Sequence, residues 1–397
     1  MNLTEKQNLF KIITSEIENK KNELIELSKY IWDNPELGYQ EYKASEKLIE
    51  VLEREGFQIQ RKAAKLDTAF TAVKKGKGDG PCVGIMSEYD ALSEIGHACG
   101  HNLFSVSAIG AALGLSKVLD KIEGSIIVIG TPAEEGNVPN SGGKAVMIEE
   151  GIFDNIDAAM ICHAEGRTII KRQLVASASI EVFFKGKPAH AGGSPHEGIN
   201  ALTAGILTIN NINAIRQHFL PRVIVNPIIT EGGITQNTIP DRCGMRMSIR
   251  ADKIEVLSDV MNKVKKCVEA SAMVTGCEYE IIEDRKIYED LKPNHELALS
   301  FMNVLDALGV SYIESEDANY AWDAGNVSHV CPTIAPYIKI GSESLVGHTE
   351  EFKQASNSGA GFEGMIIGAK AMALTAFDFL SSAEIRKRVK EEFTRKN

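Results

Sequence analysis

The chain has 397 residues, 44% of them apolar and 24% charged, the balance of a globular protein with material for more than one core. A net charge of −11, with no block of lysine and arginine, excludes a nucleic-acid binder, which needs a basic face. Seven cysteines, odd in number and without paired spacing, suit free thiols in a reducing compartment better than a disulfide framework.

The opening MNLTEKQNLFKII lacks the apolar centre of a signal peptide, and no uninterrupted apolar run reaches the roughly 18 residues of a membrane span, so the expected compartment is the cytoplasm. Between residues 5 and 33, Phe10, Ile13, Ile17, Leu24, Leu27 and Ile31 recur at helical spacing, and Pro35 ends the pattern. A second helix is predicted from Tyr42 to Glu55, closed by Gly56. Short apolar runs at 82–86, 126–130 and 158–162 read as buried strands, with helices at 104–119 and 143–151 between them. This alternation predicts an α/β layer with a mainly parallel sheet flanked by helices, resumed by TIAPYIKIG at 333–341 and a helix from 359 to 380. The basic C-terminal stretch alternates in sign and reads as a solvated helix. The middle of the chain differs. From residue 176 to 288 the order is βαββαβ, a ferredoxin-like pattern inserted into the α/β layer. The expected domains are therefore 1–175 with 289–397, and 176–288.

Chemistry-bearing side chains follow the predicted strands. Glu88 and Asp90 follow the first, Glu134 and Glu135 the second, and His163 the third. In a parallel sheet these positions share the carboxyl edge, where ligands bind, and GHACGH at 96–101 belongs there as well. A set of cysteine, histidine and glutamate suits a borderline-soft divalent cation, and this one has room for two. Two such ions a few ångströms apart form a hydrolytic centre. In an extended segment neighbouring side chains point opposite ways, so one of Glu134 and Glu135 can ligate while the other serves as general base. At this level Cys99 is open to three readings: nucleophile, metal ligand or buried thiol. In the inserted segment, His190 and Asn237 sit in glycine-containing turns, and His190 is suited to donating to an oxyanion.

The ordered motifs HACGHN, GTPAEEG, CHAEG, GKPAHAGGSPHEGINAL, GGITQNTIPD, DAGNVSHVCPTI and GHTEEF resemble the metallo-aminoacylase and dipeptidase family, which includes carboxypeptidase G-type enzymes and auxin-conjugate hydrolases. The resemblance runs from about Tyr30 to the C-terminal helix and is nearest to the aminobenzoyl-glutamate hydrolase and β-alanyl-lysine dipeptidase branch. It implies a catalytic α/β domain, a lid that also mediates dimerisation, and two ions of zinc, manganese or cobalt. It implies Cys99 as the bridging ligand, with His101, Glu135, His163 and His348 as the other ligands, Glu134 as general base and Asp90 as the group orienting the site. It further implies that His190 and Asn237 contact substrate. Asn102, where related amidohydrolases carry aspartate, points to the dipeptidase-like branch; Ser93 stands where proline is common; His97 is expected behind the ligands.

The expected activity is hydrolysis of the amide bond of an N-acyl amino acid or small dipeptide, with neither nucleic acid nor membrane as partner and a homodimer or larger homo-oligomer as the assembly. The rivals are a thiol hydrolase using Cys99 and a non-catalytic metal-binding module on the same fold.

Overall fold

The computed structural model describes residues 3–136 and 138–396. The chain divides into two compact units, Met1–Gln173 with Leu291–Ala318 and Trp322–Asn397, and Leu174–Asp290 with Asn319–Ala321. Each has its own hydrophobic core.

The first unit is built on a six-stranded sheet. Across it lie Gln58–Arg61, Phe70–Lys75, Ser125–Thr131, Cys82–Glu88, Ala158–Met160 and Thr333–Ile334. The last four are mutually parallel and the first two antiparallel. The parallel strands are near-continuous Val, Ile, Ala and Met because helices cover them. The helix His101–Ser116 is buried along its whole length, as its apolar, alanine- and glycine-rich sequence requires. It packs against Gly359–Ser381, whose length and mean hydropathy of 1.3 would allow a membrane span. Glu363, Lys370 and Asp378 hid that property from a search for apolar runs, yet the helix is a core element here, with 83% of its most apolar 18-residue window buried.

Two local expectations change. The pattern at 5–33 forms two helices, Leu3–Asn19 and Lys21–Asp33, parted at Lys20. TIAPYIKIG does not form one strand: Thr333–Ile334 closes the large sheet, and after Pro336 the strand Tyr337–Lys339 enters a second sheet with Ile313–Ser315, Ile169–Lys171 and His163–Glu165. Proline has no N–H for the ladder, so the break falls there.

The second unit has an antiparallel sheet of Ala176–Lys185, Ile224–Glu231, Arg242–Ala251 and Glu278–Glu283 in the spatial order fourth, first, third, second. The helices Ala201–Ile215 and Ile254–Thr275 complete the βαββαβ sequence. Pro227 is tolerated because its strand is at the sheet edge.

Candidate metal centre

The strands Ser125–Thr131, Cys82–Glu88 and Ala158–Met160 are parallel neighbours, so the segments that leave them emerge at one edge. There the site assembles. Gly100, at φ 79°, turns the chain into the helix that begins at His101. A Cβ at Gly100 would lie 2.5 Å from Cβ of Ala164, so only glycine lets Cys99 and His101 approach the His163 segment.

The side chains converge. Ligand atoms of Cys99, His101 and His163 lie within 4.8 Å of one another, and so do those of Cys99, Glu135 and His348. A third such group is His101, Glu134 and Glu135. Cys99 is thus common to two donor groups, and its Sγ is 3.4 Å from Nε2 of His163.

His101 and His163 are each oriented through the nitrogen turned away from the cluster. Nδ1 of His101 is 3.0 Å from the carbonyl oxygen and 3.1 Å from Oδ1 of Asp90, and Nδ1 of His163 is 2.8 Å from the carbonyl of Ala164. Carbonyls only accept, so both Nδ1 atoms carry hydrogen and both Nε2 atoms face inward, as metal-binding histidines do. Asp90 also accepts the backbone N–H of Glu135 through Oδ2 at 2.9 Å, tying two segments of the donor cluster together. His348 holds a left-handed backbone at φ 64°, its N–H donates to the carbonyl of Ala98, and its Nε2 lies 3.6 Å from Oε2 of Glu135. A β-carbon residue at positive φ stores strain, which is common at functional positions.

The structure alters two local readings. His163 does not trail a strand but opens one, His163–Glu165, in the second sheet. Glu134 and Glu135 do not diverge: Ala133 at φ 56° breaks the extended run, and the carboxylates lie 3.8 and 3.9 Å from Nε2 of His101. Their convergence has an electrostatic cost. Burial and mutual repulsion push Glu134 well above the usual carboxylate range, and burial raises Glu135 against the opposing pull of His101. Burial, then Glu135, pushes the Cys99 thiol well above its ordinary value, while burial lowers His163 to about 4.

These features fit divalent cations. The buried Nε2 of His101 and Oε1 of Glu135 have no hydrogen-bond partner, and crowded carboxylates beside a thiol need positive charge. His97 lies behind the cluster, 2% exposed and held neutral by burial, with Ser356 Oγ donating to its carbonyl. Asn102 faces the core, where Nδ2 donates to Ser28 Oγ at 3.0 Å and to the carbonyl of Ser356 at 2.9 Å.

Beyond Asp90 and His97, sequence reading did not assign the groups packed behind the cluster. Lys144, wholly buried, donates to Oε2 of Glu88 at 2.7 Å and to Oδ1 of Asp323 at 2.6 Å. Trp322 Nε1 also donates to Oε2 of Glu88, at 3.0 Å. The available signals were a lysine within the apolar run GKAVM and the aspartate of DAGN.

His190 and Asn237 belong to the second unit. Both are exposed, on adjacent loops joined by the N–H of Ala191 donating to the carbonyl of Asn237 at 2.9 Å. Nδ1 of His190 accepts the N–H groups of Gly192 and Gly193 at 3.2 and 2.9 Å, so its Nε2 is the nitrogen that carries hydrogen.

Comparison with known proteins agrees with this organisation. Residues 173–274 match the peptidase dimerisation domain. The Xaa-Arg dipeptidase of Mus musculus is 36% identical over 92% of this chain and 88% of its own length. One of the subunits of the p-aminobenzoyl-glutamate hydrolase of Escherichia coli (strain K12) is 30% identical over 79% of this chain and 68% of its own. A dinuclear metal-binding peptidase of the M20 family from Bacillus subtilis shares the fold, with a TM-score of 0.68 at 20% identity, covering 91% of this chain and 99% of that one. The chain belongs to the M20 family of metal-dependent peptidases and amidohydrolases.

Proposed function

We propose that the protein hydrolyses the amide bond of a dipeptide or an N-acyl amino acid at a centre for two divalent ions, zinc or manganese. The observation that carries this reading is the sharing of Cys99 between two donor groups, with the Glu134 carboxylate beside them. His101, His163, Glu135 and His348 would complete the ligand set, with Cys99 common to both donor groups. Bound there, the ions would polarise the scissile carbonyl and make a water acidic enough to attack at neutral pH.

The chain supplies the proton handling. Glu134 accepts a proton from the attacking water as the C–O bond forms, then delivers it to the amine nitrogen as the C–N bond breaks. Asp90 and the carbonyl of Ala164 keep the imidazoles aimed inward throughout. His190 is proposed to donate from Nε2 to the carbonyl oxygen as charge develops there, and Asn237 to bind the substrate carboxylate. The two sequence relatives make Xaa-Arg dipeptides and aminobenzoyl-glutamate the first substrates to test. The match to a dimerisation domain, together with exposed Ile224, Ile228 and Ile229 on the edge strand, supports a homo-oligomer formed through the second unit. Seven unpaired cysteines support a reducing compartment such as the cytoplasm.

The Cys99–His163 contact has the look of a thiol hydrolase pair. Burial opposes it, because the cysteine is pushed up and the histidine down, which favours the neutral forms over thiolate and imidazolium. The deciding experiment compares wild type with Glu134→Gln across a panel of dipeptides and N-acyl amino acids. Turnover should disappear with a chelator and return with metal, and the variant should retain metal while losing roughly 100- to 10,000-fold in kcat. Activity that survives chelation would restore the thiol reading, and near wild-type kcat in the variant would remove Glu134 from the mechanism.

A further inference from the structure

The Glu88 carboxylate is 1% exposed, and its two oxygens are treated differently. Oε2 receives two donors, Lys144 Nζ at 2.7 Å and Trp322 Nε1 at 3.0 Å, which fix the rotamer from two sides. Lys144 is itself fixed: its ammonium also meets Oδ1 of Asp323 at 2.6 Å, and its backbone N–H donates to Oδ2 of Asp323 at 3.1 Å. Oε1 has no hydrogen-bond partner although it is buried, and it lies 3.4 Å from Nε2 of His101, another buried atom without one.

Nδ1–H of His101 is turned to Asp90, so Nε2 faces the Glu88 carboxylate oxygen. The approach calls for positive charge between the two atoms, supplied by a proton on Nε2 or by a cation within reach of both. Two donors 3.4 Å apart can both contact one divalent ion, whose bonds to imidazole nitrogen and carboxylate oxygen run about 2.0–2.2 Å. Lys144 and Trp322 occupy the far oxygen and leave the near one available.

We propose that Glu88 is a further ligand of the ion held by His101, with Lys144, Asp323 and Trp322 as its brace. This rests on the proposed metal centre and adds to it a carboxylate outside the five-residue ligand set. The brace explains why a lysine sits wholly buried a short way from a cation site. It neutralises the far side of Glu88 and sets its direction, and Asp323 offsets its own charge.

The test is metal titration of chelator-stripped protein with Mn(II) by calorimetry, and with Co(II) by visible absorption, on wild type and Glu88→Gln. The glutamine can still accept from Lys144 and Trp322 through its one oxygen and then turns its NH2 group toward His101. The expected result is two ions in wild type and, in the variant, a roughly 10- to 100-fold rise in the dissociation constant of one ion, with altered Co(II) d–d bands. An unchanged dissociation constant and an unchanged cobalt spectrum overturn the inference and leave the metal centre standing; a proton on His101 would then be what relieves the contact. Wild type that binds no ion overturns both. If the glutamine variant does not fold, Glu88→Asp replaces it: the shorter carboxylate, still drawn to Lys144, should weaken one ion, and unaltered binding of both overturns the inference.

Discussion

At the scale of single residues, the site contrasts groups that face the donor cluster with groups that hold the fold around it. Asn102 shows the difference. Beside HACGH it reads as a hint about substrate, but its amide donates to Ser28 and to the carbonyl of Ser356, joining three segments of the core. An aspartate there would oppose a carboxylate to the Ser356 carbonyl, or would have to hold a proton to donate. Asn102→Asp should therefore cost about 2–3 kcal/mol at neutral pH and much less in acid, read from denaturant midpoints at both pH values. Equal stability of variant and wild type at neutral pH would count against this role. Glu41 is a second such residue. Its carboxylate accepts from Thr68 Oγ1 at 2.7 Å and from the N–H of Ala133 at 2.8 Å, yet burial and then Asp90 raise it from 4.5 to about 7. Below 4.5 both folded and unfolded forms are protonated; between 4.5 and about 7 only the unfolded chain gives up its proton, so stability falls as pH rises through that window. Glu41→Gln keeps an acceptor for Ala133 and removes the titration. The fall in stability across this window should be smaller in the variant than in wild type, and identical slopes would exclude Glu41 as its source. The donor cluster was legible in the sequence because its members, like Glu88, follow predicted strands or sit in glycine-marked turns. Lys144 and Asp323 were not, because their meaning lies in pairing with Glu88 across long separations in the chain, which no local pattern carries.

At the scale of elements, local signals worked where one element obeys one rule. The strand Arg242–Ala251 and the helix ended by Gly56 coincide with their patterns, since alternation and a left-handed cap are local properties. The run at 333–341 divides because two sheets compete for it, and Glu134 and Glu135 converge because Ala133 adopts a backbone that an apolar run followed by carboxylates does not announce. Helix ends offer a test at this scale. Asn294 caps the helix His295–Leu308: Oδ1 accepts from the N–H of Leu297 at 3.0 Å, and Nδ2 donates to the carbonyl of Val389 at 3.1 Å. Glu392, on the C-terminal helix Ala383–Lys396, accepts the N–H groups of His295 and Glu296, both at 2.9 Å. One helix start thus depends on a side chain from another helix. Asn294→Ala removes the acceptor of the Leu297 N–H and the tie to the Val389 carbonyl, and should cost about 2 kcal/mol. Hydrogen exchange should quicken in both helices. Loss confined to His295–Leu308 would show that the contact with Val389 does not secure the C-terminal helix.

At the scale of the whole molecule, the chain interrupts one core to build another and then returns to the first. Segments from both sides of the insertion build the first unit: Thr333–Ile334 joins the sheet of the earlier strands, and the helix Gly359–Ser381 packs against His101–Ser116. The donor cluster is held entirely within the first unit, since Asp90, Cys99, His101, Glu134, Glu135, His163 and His348 all belong to it. Metal should therefore stabilise the two cores unequally. An ion that binds the folded state at a hundred times its dissociation constant adds about 2.7 kcal/mol, and it adds this to the unit whose folding creates the site. Separate cores predict that calorimetric unfolding resolves into two components. Adding chelator should lower the temperature of the component that carries the first unit and leave the other in place. Mutation of Glu135 to Ala should reproduce most of that shift without chelator, because it deletes a donor shared by two of the three groups. If chelator moves both components equally, or moves neither, the cation does not act through the first unit alone. Tryptophan fluorescence can assign the components, since both tryptophans, Trp32 and Trp322, lie in the first unit and report its unfolding.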